Sequence, residues 1–552
     1  RGRREWARVK AELAAKGESL DYASFLKPSV PDEENVMAHP YMKQHFVKGT
    51  EVFPISHPPS DGRVMGNSPF SLADLQKLPH RSDPMSTIAG LVGDQGSREI
   101  IPILAFTNQP LAEVFSELAR AAGLRFRPST NQWLRMELKT RAWRMTRTFT
   151  NSTALHALDE LAKDHLFSPD PAEWRTARVL ALTKATGPSS LQDILDWYAR
   201  DRGEFAQLEE ALPRPQSRLS GDPRRLMEMP IPSFVSFRVA VQAYANLCMV
   251  HLLVGGADAA LTDLRTMRRL TEVAQANEPA FLMVAMLKVT LAGICAKTVE
   301  ETLAAGMWPA SHLEHVQHFC EGADVLSNVA RSLRGGERAA LLQWMQALAR
   351  EDRGVLFGLS SGNDRSRGWP EKLIAAAIPG GWFDQNYAHY ARWSQIPLEG
   401  VDVGRRRLDA RAIEFGGKWV SKELNESHFY PFYFLAGIGI PNFVKAHLTT
   451  AKCQTLLDQA YLACALERCR AAKGEYPDKL DALVPEFAAK LPHDLFDGQP
   501  LRYRRTDDGR YVLYSIGWNS KDDQGQASLD KNGKPEWQDE KGDWVWQGVP
   551  KS

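Results

Sequence analysis

Apolar residues recur at three- and four-residue spacing through the middle of this chain, a period that predicts helices. Phe234–Val254, Ala257–Ala274, Ala280–Ala304, Ser311–Leu333 and Glu337–Glu351 carry it most clearly, inside a stretch of helical pattern from Thr153 to about Arg350. Gly255-Gly256 and Gly335-Gly336 are the expected breaks between helices. Small alanines on both sides of Gly255 predict a closely packed helical hairpin, but no clean repeat of about 34 residues follows it. Ahead of this body, Trp6, Val9 and Leu13 share one face of a helix over residues 1–16, with Gly17 as its stop. Residues 18–97 are rich in Pro, Asp, Ser and Gly and are expected to wrap over another domain, with helical pieces near Asn35–Phe46 and Ser71–Leu78. Ile100–Phe106 is a short apolar run. Pro110, Leu111, Val114, Leu118, Ala121 and the terminal Gly123 then predict a helix, after which Leu124–Arg127 reads as a strand.

Two further changes of pattern follow the body. Residues 352–434 are dense in Gly, Pro and aromatics, including Trp369, Trp382, Phe383, Tyr387, Tyr390 and Trp393, and are expected to form a loop-rich connector packed by its own aromatics. From about Val444 to Lys473 the helical period returns, with Cys453, Leu457, Ala460 and Cys464 in one row and Gly474 as the C-cap. Asp478 is expected to cap a short helix bearing Leu480, Leu483 and Val484. Leu501–Arg505 and Arg510–Gly517 alternate like strands around an Asp507-Asp508-Gly509 turn. The fold class expected is therefore mainly α: an irregular helical bundle or short solenoid, with a C-terminal α+β domain made of a long helix and a small antiparallel sheet. The segments are an N-terminal helix and wrapping arm (1–97), a helical body (98–351), the connector (352–434) and the C-terminal domain (435–552).

The tail carries a specific order of motifs: Ile440-Pro441-Asn442-Phe443, the long helix, Gly474-Glu-Tyr-Pro477, Leu480-Asp-Ala-Leu-Val-Pro485, Pro492 to Pro500 with Asp494, Phe496 and Gly498, and Tyr514-Ser-Ile-Gly517. As a set it resembles the end of the first helix and the globular head of type IV pilins and of the major pseudopilins of type II secretion. The whole chain is also similar to a bacterial family with no established activity, in which an N-terminal membrane helix precedes a helical body and a pilin-like tail. The strand–helix–strand cadence at residues 100–127 resembles the small secretin N-terminal modules, although a helix within a helical domain is the preferred reading there. The pseudopilin resemblance implies calcium in the loop after the last strand, with Asn519, Asp522, Asp523 and the Ile516 carbonyl as the matching ligands. It departs from the family in having Asn519 where the family has an aspartate. The family's later paired aspartates are not clearly matched, although Asp530, Asp539 and Asp543 lie further on. No apolar spike of the length a membrane helix needs, roughly 20 residues, precedes Pro441. The resemblance therefore implies a terminal assembly module and not an ordinary pilus subunit.

Composition narrows the function classes. A chain of 552 residues exceeds one hydrophobic core, so two to four domains are expected. Lys and Arg number 68 against 67 Asp and Glu, leaving a net charge of +1 and no basic excess for nucleic acid. The cysteines, Cys248, Cys295, Cys320, Cys453, Cys464 and Cys469, contain no CxxC pair and fall in apolar helical patterns, which favours buried thiols; a Cys248–Cys295 bridge is the alternative. The opening Arg1-Gly-Arg-Arg is a cluster of the kind that flanks a membrane helix, so an N-terminal anchor or signal ahead of Arg1 is expected. Those arginines favour a cytoplasmic side. The pilin resemblance implies the cell envelope, on the periplasmic side, and the two indications conflict.

Candidate chemistry is sparse. Gly358-Leu-Ser360-Ser-Gly362 matches a nucleophile elbow, for which Asp384 and His389 are the nearest downstream partners, but the strand and helix that this turn needs are not predicted around it. His312, His315 and His318 recur on one predicted helix, with Glu314 and Glu321 nearby; neighbouring pairs suit a metal, and exposed histidines are the simpler reading. The first function expected is a non-enzymatic interaction protein, membrane-associated at the envelope and docking with other proteins or with itself. Trp518, Trp537, Trp544 and Trp546 suit interface aromatics, with packing of the small head as the alternative. The alternative is a hydrolase or metal-dependent enzyme with its site in residues 352–400.

Overall fold

A computed structural model describes residues 1–26, 28–55, 72–77, 190–219, 229–275, 281–351, 379–426, 436, 443–529, 535–537 and 541–547. The described chain is mainly helical, with a small antiparallel sheet near the C-terminus. It divides into two compact units. The first comprises Arg1–Phe53, Glu209–Val241 and Leu264–Ser552, the second Pro54–Leu208 and Gln242–Asp263.

In order, the α-helices are α1 (Gly2–Ala15), α2 (Pro40–His45), α3 (Leu72–Leu75), α4 (Leu191–Arg200), α5 (Arg202–Ala211), α6 (Phe234–Leu253), α7 (Ala257–Val273), α8 (Leu282–Ala304), α9 (Ala310–Cys320), α10 (Val325–Ser332), α11 (Ala340–Glu351), α12 (Gly380–Gln395), α13 (Ala410–Glu426) and α14 (Phe443–Lys473). The strands are β1 (Val401–Asp402), β2 (Arg407–Leu408), β3 (Arg502–Arg505), β4 (Tyr511–Ser515), β5 (Ser528–Leu529), β6 (Pro535–Glu536) and β7 (Trp544–Val545). The predicted helix and strand at residues 100–127 lie outside the described residues.

The second unit is held by aromatic edges and two polar ties. Phe205 stands edge-on to Tyr198 at 6.0 Å and to Tyr244 at 5.3 Å, geometries that favour ring quadrupoles. Asn246 Nδ2 donates to the buried Tyr198 hydroxyl at 2.9 Å, and His251 Nδ1 lies 2.6 Å from Asp263. At α4 the sequence Ser190-Leu-Gln-Asp193 forms a complete capping box, each side chain bonding the other's backbone N–H.

In the first unit α14 is the central strut. Its 31 residues pack against α8, α9 and α10 on one side and carry the small sheet on the other. Ala285, Val289, Ala292 and Ala296 of α8 meet Phe443, Ala446, Cys453 and Leu457 of α14; alanines at these positions let the two backbones approach closely. By length and composition α8 would suffice to cross a membrane, with a mean hydropathy of 1.7. Here it is largely buried, and α14 covers the face that lipid would otherwise meet. All six cysteines are buried thiols, as their apolar setting predicts, and burial pushes Cys295 up to about 12.

The structure corrects several sequence expectations. Ser311–Leu333 is not one helix. It splits into α9 and α10 around Gly322, whose φ of +70° ends the first, while the Asp324 carboxylate accepts the Ser327 N–H at 2.9 Å and starts the second. Gly335-Gly336 is not a break. The backbone continues from α10 to α11 through a π-helix over Leu333–Ala339, and both glycines are buried in it. The described part of the connector, 379–426, is two helices and a short hairpin, not a loop. Phe383, Tyr387, Tyr390 and Ala391 are buried along one face of α12, a helical period partly hidden by the flanking glycines. Asp478 does not cap the turn that follows it; it pairs with Arg505 at 3.1 Å. The tail tryptophans expected at an interface are the core of the C-terminal sheet. Trp544, Trp546 and Trp518 are buried, and Trp537 stacks on Trp544 at 5.3 Å.

That sheet has the order β3-β4-β7, antiparallel throughout. Arg505 faces Tyr511 across the Asp507-Asp508-Gly509 turn, where Gly509 takes φ +74°. The Tyr511 ring meets Tyr476 edge-on at 4.9 Å, tying the sheet to the end of α14.

Candidate functional site

Among the described residues, those singled out in the sequence do not converge on a reaction centre. Ser360 lies outside the described residues. Asp384 and His389 are both on α12, but five residues apart they project about 140° from each other, so neither orients the other. His389 packs on Trp393 at 5.4 Å, and burial, with Arg392, lowers it to about 4. His312, His315 and His318 line the outer side of α9. His318 is exposed and bonds Glu321 at 2.7 Å. Among the described residues no group of three or more His, Cys, Asp or Glu is arranged to hold a metal ion.

The loop after β4 does gather the residues expected to bind calcium, and adds one from the tail. Asn519 Nδ2 donates to Asp523 at 3.2 Å. Asp543, delivered beside the loop by β7, accepts the N–H groups of Asp523 at 3.2 Å and Gly525 at 2.7 Å. Asp522 accepts the Gln524 N–H at 2.8 Å and the Tyr514 hydroxyl at 3.1 Å, and the Arg502 guanidinium stands 3.8 Å away. Asn519 Oδ1 accepts the Lys521 N–H at 3.1 Å. Calcium requires six to eight oxygens aimed at one point. Here the side-chain oxygens are aimed at N–H and O–H donors, and a fixed cation already faces Asp522. Among the described residues the donor set is not arranged for calcium; Asp530 and Asp539 lie outside them. Asp543 is one of the later aspartates noted in the sequence, and strand pairing, not spacing, brings it to the loop.

Arg502 is the electrostatic centre of this end of the molecule. It pairs with Asp497 and lies 3.7 Å from the buried Asp494. Burial raises the Asp494 carboxyl, against the Phe496 and Ile516 N–H groups that bond it at 3.0 and 2.9 Å. The Gly-x-Pro stretch is therefore folded back on β4 by one carboxylate.

A second polar cluster, unsuspected from the sequence, surrounds the π-helix. Arg338 is fully buried. Its guanidinium bonds Glu18 from the N-terminal arm and Gln395 from the end of α12, and Arg334 Nε reaches the same Glu18 at 3.1 Å. Burial acts to raise Glu18, but its hydrogen bonds and charge contacts with Arg338 and Arg334 outweigh that and hold it below the usual carboxylate range. Glu337 is raised by burial, and its carboxylate accepts the Leu282 N–H at 2.8 Å. The Tyr390 hydroxyl donates to the Glu337 carbonyl at 2.6 Å. Arg334 and Arg338, four residues apart in the π-helix, share one face and both reach the Glu18 carboxylate. His447 on α14 is fully buried, neither ring nitrogen has a hydrogen-bond partner, and burial lowers it to about 4. This cluster clamps separate segments together and presents no nucleophile.

A cavity of about 560 Å³ lies between the N-terminal arm and α7, lined among others by Pro28, Arg218, Arg269, Glu272 and Lys288. Its polar groups serve as ties: Arg269 bonds the Leu212 carbonyl at 2.9 Å and Glu272 at 3.3 Å, and Lys288 bonds Gln275. No protein-family model, curated protein or solved structure matches the chain.

Proposed function

We propose that this chain is a non-enzymatic, envelope-associated interaction protein, an accessory subunit of a larger assembly, which carries a pilin-like head as a terminal module. One observation supports this reading above the others: α14, the helix with the pilin-like sequence, is buried between α8, α9 and α10 on one side and the head on the other. In a filament subunit that helix packs against neighbouring copies. Here the same surface is used up within the chain, so the head is presented on a fixed support. Gln459 Nε2 on this helix donates to the Trp544 carbonyl at 2.7 Å, and the Tyr476 hydroxyl bonds Glu467 at 2.6 Å, which locks head to strut. The hydrogen-bonded polar groups of the head loop suit a scaffold. The hydrolase alternative draws no support from Asp384 and His389, which diverge on α12.

Crosslinking in cells followed by native purification tests the proposal. It should recover the chain with other envelope proteins in a defined complex. A solitary monomer, with neither partners nor membrane association, would overturn it.

A further inference from the structure

Helix α9 divides its residues between two sides. Leu313, Val316, Phe319 and Cys320 are buried, and Gln317 is tied to the Phe487 carbonyl at 2.8 Å and to Arg468 of α14 at 2.7 Å. The opposite side exposes His315 and His318, close to one turn apart. Three residues along a helix set two side chains about 60° apart around the axis and about 4.5 Å apart along it, with Cβ atoms about 5–6 Å from each other. Exposed imidazoles at that spacing can turn both Nε2 atoms toward one point. The His318 ring is already oriented: its Nδ1 donates to the Glu321 carboxylate at 2.7 Å, which in the neutral ring puts the lone pair on Nε2. His315 makes no hydrogen bond or ion pair with the described residues. The neighbouring charges leave room for a cation. Glu314 pairs with Arg468 at 3.0 Å, and Arg268, which bonds the His318 carbonyl at 2.7 Å, pairs with Glu272 at 3.1 Å. Among the described residues Glu321 has no ion-pair partner besides His318.

We propose that His315 and His318 form a two-donor site for a divalent transition metal of the zinc class, with Glu321 as its positioning residue. Imidazole nitrogen suits zinc, copper and nickel, whereas magnesium and calcium take oxygen donors. A carboxylate on the far nitrogen of a ligating ring fixes its tautomer and direction and makes the free nitrogen more basic, which is the arrangement Glu321 gives to His318. Two donors fall short of the four of a closed structural zinc site, so the ion would keep open positions for water or for a donor on another molecule. A two-donor site agrees with the absence, among the described residues, of any metal-holding group of three or more. All six cysteines are buried thiols, so in the folded chain they do not compete for the ion. The inference is independent of the envelope reading, because recovery of partners from cells does not enter its test.

Isothermal titration of the full chain with zinc chloride, and with magnesium chloride as the oxygen-preferring control, tests it. Zinc should give a saturable isotherm and magnesium none. His315→Ala and His318→Ala should each abolish that isotherm. Glu321→Gln keeps both ligands and should weaken zinc by about tenfold, because the carboxylate directs the His318 ring. His312→Ala, one turn earlier on the same helix, should bind zinc as the wild type does. His315, His318 and Glu321 are exposed, so without metal these variants should unfold at the wild-type temperature, which separates a lost ligand from a lost fold. Zinc binding that survives both histidine variants would overturn the proposal and mark an adventitious ion only. Equal weakening by His312→Ala would overturn the choice of pair, and an unchanged affinity in Glu321→Gln would overturn the positioning role.

Discussion

His447 shows what a single buried residue contributes here. Both ring nitrogens lie inside α14's packing without a hydrogen-bond partner, so the folded protein keeps the imidazole neutral down to about pH 4. The unfolded chain binds that proton near the ordinary value of 6.5. The folded value is depressed, so the stability linked to this group is fully present above pH 6.5 and is lost as pH falls toward 4, by about 3 kcal/mol at most. His447→Leu should flatten that part of the acid limb in urea unfolding at several pH values and leave neutral stability equal or higher, because an unsatisfied polar group is removed. An unchanged acid limb would refute the assignment. Arg338 differs: it is a buried cation whose two terminal nitrogens have partners, on Gln395 and Glu18, while Nε has none. Arg338→Met should cost about 3 kcal/mol, since Gln395 would lose its donor and Glu18 would keep only Arg334. Adding Glu18→Gln should recover part of the loss in a double-mutant cycle, and strict additivity would disprove the pairing. Neither residue was singled out in the sequence, where a lone His or Arg in a helical period carries no sign of its burial.

At the scale of elements, α1 was legible and its partner was not. Trp6, Val9 and Leu13 mark one face, and the structure buries Val9 and Leu13 and sets Trp6 edge-on to Tyr387 of α12 at 6.0 Å. The choice of α12 depends on contacts between residues nearly 400 positions apart, among them Arg392 with Glu5 and Glu12. The approach is close at the start of α1, where a Cβ on Gly2 would lie 1.9 Å from the Gly381 carbonyl oxygen. Backbone cannot yield as a side-chain tip can, so Gly2→Ala should pry the first turn of α1 off α12. About 1–3 kcal/mol of overpacking strain is expected. Hydrogen exchange should show the amides of α1 losing protection while those of α14 keep theirs; full protection of α1 would count against the contact.

At the scale of the whole molecule, the question is whether the head depends on a metal. The loop's side-chain oxygens already accept N–H and O–H donors, and the Arg502 guanidinium stands 3.8 Å from Asp522. Millimolar calcium, or its removal by chelator, should therefore leave the melting temperature unchanged. A real site with a dissociation constant a hundred times below the added concentration would contribute about 2.7 kcal/mol and move the transition by several degrees. A shift of that size would show that the loop rearranges to accept the ion.

The local period of the chain was enough to determine the class of fold: the helices from Phe234 to Ala304, the long α14 with its Gly474 cap, and the β3–β4 hairpin all follow from residues close in sequence. Helical spacing, capping residues and turn glycines act over a few positions, so they can be read without knowing the partner. What tertiary structure alone decided was which surfaces are used. It ran the chain through Gly335-Gly336 as a buried π-helix, with Arg334 and Arg338 both on Glu18 of the N-terminal arm. It drew Trp518, Trp544 and Trp546 inward as a core, and it brought Asp543 to the head loop through β7. Each outcome depends on burial by, or hydrogen bonding to, a segment far away along the chain. Burial of that kind is a property of the assembled fold, so no local pattern of residues contains it.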